Sequence, residues 1–172
     1  MDLRPVLAAF LAVLLTSACG SSAAAPLGDA DGFIPDNGSV SPFDTSVTAI
    51  RNLDPALLAA VRQAARDAQR HGITVQVTSG WRSKAYQQQL LDDAVRKYGS
   101  LAKARESVNT PEKSTHVTGK AVDLGPTDAD DWIGRHGTDY GLCQVYSNEM
   151  WHFELLTAPG GQCPPQLPNA AG

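Results

Sequence analysis

His116 and Asp123, with His152 between Glu149 and Glu154 further along, are the residues of this chain best suited to chemistry. Two imidazoles and one carboxylate, with a position left for water, form a common hydrolytic zinc set, and a neighbouring glutamate can serve as general base. Strand alternation supports a shared ion. In residues 120–124, Ala121 and Asp123 share a face; in residues 151–155, His152 and Glu154 share a face, with Trp151, Phe153 and Leu155 opposite. Paired in one sheet, the two strands would bring Asp123 and His152 to one ion. His116 precedes its strand, and Gly119 lets the chain turn so that the ring comes back towards Asp123. Spacing leaves the base open. Glu149 reaches the site only from the preceding turn, whereas Glu154 has the better strand parity. A blander alternative also stands, in which Trp151-His152-Phe153 is a core strand with a hydrogen-bonded imidazole. His71 and His136 fall at helix ends and have capping or exposed roles.

The elements that must position these residues follow from periodicity and caps. Asp54-Pro55 reads as an N-cap and first-turn proline, with Leu57, Leu58, Val61, Ala64, Ala65 and Ala68 at helical spacing and Gly72 as the stop. Residues 73–78 alternate as a strand with one buried face. Ser83 caps a second helix over residues 84–98, and Ser100 a short one over 101–107. Residues 120–124 form a strand, 127–135 a helix, and 144–146 with 151–155 a hairpin turning at Ser147-Asn148. Helices come first and most strands later. The class is α+β, a small antiparallel sheet carrying the zinc site and packed against N-terminal helices.

The ends read as export and tethering. Residues 1–19 carry Arg4 and an apolar run too short to span a bilayer, which predicts a signal peptide. Its end, Leu15-Thr16-Ser17-Ala18-Cys19, resembles a bacterial lipobox, making Cys19 the lipidation site and a lipid anchor the link to the membrane. Ala23-Ala24-Ala25 offers the alternative of soluble secretion. The expected location is the extracytoplasmic face of a bacterial membrane, or the cell wall. Residues 20–45 read as a flexible linker, 46–157 as the catalytic domain and 158–172 as an irregular tail. Of three cysteines, either processing route removes Cys19 and leaves Cys143 and Cys163. Their disulfide would be worth about 3 kcal/mol in the chain-entropy model. A net charge of −4 and pI of 5.4 argue against nucleic acid, and the domain is expected to be a monomer. H-E-x-x-H, S-x-x-K with K-T-G, G-x-S-x-G and P-loop patterns do not occur.

Three motifs in order carry a family resemblance: Ser79-Gly80-Trp81-Arg82-Ser83 with Tyr86-Gln87; Ser114-x-His116-x-x-Gly119-x-Ala121-x-Asp123; and Glu149-x-Trp151-His152-Phe153-Glu154. Over residues 53–155 the chain resembles the VanY-type zinc D-alanyl-D-alanine carboxypeptidases, which belong with the lysostaphin, D-Ala-D-Ala metallopeptidase and hedgehog fold group. The resemblance implies one zinc ion held by His116, Asp123 and His152. It implies Glu149 as general base, which spacing could not choose, and Arg82 as the group polarising the scissile carbonyl. Ser114 and Gln87 match positions near the bound peptide's C-terminal end. Trp81 departs from the tyrosine usual after the glycine. The implied substrate is a peptidoglycan stem peptide, with a D,D-carboxypeptidase acting on pentapeptides. The alternatives are an L,D-carboxypeptidase on tetrapeptides, an endopeptidase, and a non-catalytic wall-binding or signalling domain on the same fold.

Overall fold

The computed structural model describes residues 26–172, so the signal segment, the lipobox-like run and Cys19 lie outside the described residues. Capping chemistry sets the helices. After a short helix α1 (Thr48–Arg51), the Asp54 carboxylate accepts from the amides of Ala56 and Leu57 at 2.9 and 3.2 Å, and α2 (Pro55–Arg70) follows. Leu57, Val61, Ala64, Ala65 and Ala68 form its buried stripe. The Ser83 hydroxyl accepts from Tyr86 N at 3.0 Å to start α3 (Lys84–Tyr98), and Gly99 ends it at φ 79°. The shorter α4 (Leu101–Ala104) packs on α3 through a small second core of Leu91, Ala94 and Ala104, joined by Val95 and Val108.

The sheet consists of β1 (Gln76–Ser79), β2 (Ala121–Gly125), β3 (Leu142–Gln144) and β4 (His152–Leu155), in the order β1-β2-β4-β3 with every neighbour antiparallel. Helix α5 (Thr127–His136) follows β2. The expected α+β class is what the chain adopts. The two strands that carry site residues are the central pair, and Asp123 stands directly opposite His152 in their register. Val122, Leu124 and Phe153, on the reverse parity, are at most 1% exposed in the main core with α2 and α5 residues. A polar site thus sits on one side of strands whose other side anchors the core, which fixes its geometry tightly. Strand β1 begins at Gln76, three residues after the alternation does; Ile73 and Val75 pack on the core without pairing.

Two boundaries shift. The linker read over residues 20–45 is not free where it is described. Asp29 accepts from both the amide and the hydroxyl of Thr48, at 2.9 and 2.6 Å, and Asp31 accepts from the Ser83 hydroxyl at 2.8 Å. Val40 exchanges two backbone hydrogen bonds of 2.9 Å with Val77, and Ile34 is buried in the main core. The segment has no helical or strand period because its isolated apolar residues and carboxylates dock one at a time. The tail over residues 158–172 is tied by more than a cystine. Besides the Cys143–Cys163 disulfide, Leu167 bridges the chain around Tyr146, and Ala170 N donates to Glu106 O at 3.3 Å.

Helix α5 buries a carboxyl oxygen without a partner. Asp130 on α5 is 6% exposed with Oδ1 unbonded, and burial, with Asp123 and Asp128 nearby, pushes its pKa up to about 6. A folded pKa above the unfolded value means that the native state loses stability as pH rises from about 4 to 6. Asp130→Asn is therefore expected to stabilise the protein at pH 7 by roughly 1–3 kcal/mol and to do little at pH 4. Thermal melts at both pH values check this, and equal effects would contradict it.

Candidate active site

Backbone close approach builds the first part of the site. Gly80 lies against α1, where an added Cβ would stand 2.3 Å from Ala49 O. That contact places Gly80 O to accept from His116 Nδ1 at 2.8 Å, so the Nε2 lone pair of His116 faces inward. Gly119 closes the 3-10 turn Thr115–Thr118 at φ 72°, where a Cβ would meet Asn52 O at 2.5 Å. The chain therefore turns back into β2 as the sequence predicts.

His152 presents its other nitrogen. Its Nε2–H donates to Glu154 Oε1 at 3.1 Å, and that oxygen also accepts from Thr115 Oγ1 at 2.8 Å, which leaves Nδ1 facing inward. His116 Nε2, His152 Nδ1 and Asp123 Oδ1 then form a triangle with sides of 3.2, 3.1 and 3.4 Å. Ligands about 2.0–2.1 Å from a tetrahedral ion stand roughly 3.3 Å apart. The donor set fits one such ion: three buried ligand atoms converge, and both imidazoles are oriented from behind by an acceptor.

Charge in the site is biased the same way. Burial, then the Arg82 guanidinium, lowers the pKa of His116. Burial alone would raise Asp123, but hydrogen bonds and charge from His116, His152 and Arg82 outweigh it and hold the carboxyl well below its usual range. Burial likewise opposes protonation of His152, yet the Asp123 and Glu154 carboxylates lift its pKa to about 9. Metal must therefore displace a proton from His152. Apparent zinc affinity is expected to rise about tenfold per pH unit up to about pH 9. Glu154→Gln, which weakens the brace on His152, should cost 10–100-fold in zinc affinity. Competition with a chelating dye between pH 6 and 8 checks both, and a flat profile would contradict the first.

The two glutamates are now distinct. Glu154 is spent on Thr115 and His152. Glu149, on the turn before β4, is 8% exposed with Oε1 unbonded, and burial lifts its pKa to about 7. Arg82 is anchored by Nε to Ser79 Oγ at 2.8 Å, by one terminal nitrogen to Gln87 Oε1 at 3.1 Å, and by the other to Asp123 Oδ2 at 2.9 Å. Each terminal nitrogen keeps one free N–H. Arg82, Ser114, the metal triad and Glu149 all line one cleft, so the structure brings the sequence-predicted residues together. Gln87 lines the same cleft. It is 1% exposed, with Oε1 on Arg82 and Nε2 on Asn109 O at 2.8 Å, so its amide ties Arg82 to the cleft wall. Sequence reasoning missed Asn109, Tyr146 and Ala170 in the lining, since none belongs to a chemical motif.

Residues 50–157 match the VanY family, described as D-alanyl-D-alanine carboxypeptidase. Among solved structures, VanYB in complex with D-alanine-D-alanine is similar at a TM-score of 0.58 and 23% identity, over 61% of this chain and 72% of that one. A mutant of the vancomycin-resistance D,D-pentapeptidase VanY in complex with Zn(II), from a VanB-type cassette, is similar at 0.56 and 23%, over 59% and 71%. The L,D-carboxypeptidase DacB of Streptococcus pneumoniae is similar at 0.51 and 28%, over 60% and 66%. A search of curated proteins returns no match. With more than half of its residues matched by the family, this chain belongs to the VanY D-alanyl-D-alanine carboxypeptidase family.

Proposed function

We propose that this protein is a zinc-dependent D,D-carboxypeptidase that releases the C-terminal D-alanine from peptidoglycan pentapeptide stems. The observation that carries it is the triangle of His116, Asp123 and His152 with the unbonded Glu149 oxygen beside it in one cleft. His116, Asp123 and His152 would hold one zinc ion, which when bound supplies Lewis acidity towards a carbonyl oxygen and acidifies water. Glu149 accepts the proton of the attacking water and returns it to the departing amine, a task suited to a carboxyl of raised basicity. Arg82 directs its free N–H groups at the developing oxyanion. Ser114, 6% exposed in the cleft wall, offers a hydroxyl to the peptide's C-terminal end. Export, with a lipid on Cys19 or soluble release, would put the enzyme beside its substrate. No described helix is long and apolar enough to cross a membrane.

A second reading is favoured by the likeness to DacB: an L,D-carboxypeptidase acting on tetrapeptide stems. Mass spectrometry of products from defined tetra- and pentapeptide stems separates the two. Loss of one alanine from the pentapeptide alone supports the first, and loss from the tetrapeptide alone the second. Chelator-resistant release would overturn the zinc site, and no release by zinc-loaded protein would point to a binding domain.

A further inference from the structure

Two walls of the cleft come from distant parts of the chain: Ser107, Val108 and Asn109 beyond α4, and Tyr146 with Glu149 before β4. The C-terminal tail crosses between them. Leu167 pairs with the second wall, its amide donating to Val145 O and its carbonyl accepting from Ser147 N, both at 2.9 Å. The Ser147 hydroxyl donates to Pro168 O at 3.2 Å. Three residues beyond Leu167, the Ala170 amide donates at 3.3 Å to the carbonyl of Glu106, which leads into the first wall. Asn148 Nδ2 donates to the same oxygen at 3.1 Å from an exposed side chain, whereas Ala170 itself lines the cleft. Three residues of chain reach at most about 10 Å, so the tail crosses where the walls stand close together. The Cys143–Cys163 disulfide fixes the start of the crossing segment to β3.

We propose that residues 167–170 form the end wall of the cleft and restrict the enzyme to a peptide terminus, so that a single residue departs and interior bonds are not cut. The inference rests on the carboxypeptidase reading. The acyl side of the scissile bond has to leave room for the rest of the stem, so the end crossed by the tail takes the departing residue. A terminus fits there. A chain that continued would meet backbone held by the four hydrogen bonds of Leu167, Pro168 and Ala170. The tail lies beyond residues 50–157, the part that the family matches, so this restriction is an addition of this chain to the shared site.

The test uses zinc-loaded protein with tetra- and pentapeptide stems, and the same stems extended by two glycines, and reads the released fragments by mass spectrometry. Wild type should release single residues from the terminus and leave interior bonds intact. A chain ended at Gln166 keeps the disulfide and loses the end wall, and should gain release of multi-residue fragments from the extended stems. Its ratio of interior to terminal kcat/KM should rise by about tenfold or more, the scale on which one steric contact in a pocket discriminates. Leu167→Pro combined with Ala170→Pro removes two of the amides that hold the tail in a full-length chain and should shift the ratio the same way. That variant decides the matter if the shortened chain does not fold. Interior cleavage by wild type, or an unchanged ratio in a variant that retains zinc, would overturn the proposal. No turnover of any stem by wild type would instead count against the carboxypeptidase reading. The end wall would then be read by calorimetry, where the glycine extension should weaken binding to wild type and not to the two variants.

Discussion

Glu149→Gln is expected to lower kcat by 10²–10⁴-fold while the protein still binds one zinc. The amide keeps the shape of the side chain on the turn before β4 but cannot take a proton, and Glu149 makes none of the hydrogen bonds that orient His116 or His152. Metal analysis and steady-state kinetics on the same sample check the two halves of this expectation. A rate close to wild type would pass the base to Glu154, whose own substitution should show first as weaker zinc binding. The acidic limb of kcat/KM should follow Glu149. Burial sets its pKa at about 7 in the metal-free site, and a nearby dication draws it down. Activity is then lost as pH falls through that value, because the base becomes protonated.

Arg82→Ala is expected to lower kcat/KM by 10²–10³-fold, the range for removing a donor to a developing oxyanion. The arginine also joins Ser79, Gln87 and the outer oxygen of Asp123, so its loss leaves Asp123 Oδ2 without a protein partner. Zinc affinity should therefore fall as well. Arg82→Lys should not rescue turnover, because one ammonium cannot span three fixed acceptors and still face the substrate. Wild-type kcat/KM in either variant would remove Arg82 from the proposed mechanism.

The metal triad was legible because its constraints are local. Strand parity put Asp123 and His152 on the site face, and a glycine after His116 announced the turn. Caps at Asp54 and Ser83 likewise placed two helix starts to the residue. The choice between Glu149 and Glu154 was not legible from spacing. It depends on Thr115, 39 residues from Glu154, whose hydroxyl engages that carboxylate while nothing engages Glu149 Oε1.

The docked N-terminal segment bears on how this domain stays in solution. β1 is an edge of the sheet, and an edge strand with bare N–H and C=O groups is a template for pairing with another molecule. Val40 occupies that edge by pairing with Val77, while Asp29 and Asp31 hold the covering segment at Thr48 and Ser83. A fragment begun at residue 46, the boundary composition alone suggests, would keep every residue of the metal triad and bare that template. Its failure would show as aggregation at high protein concentration with the catalytic groups still in place.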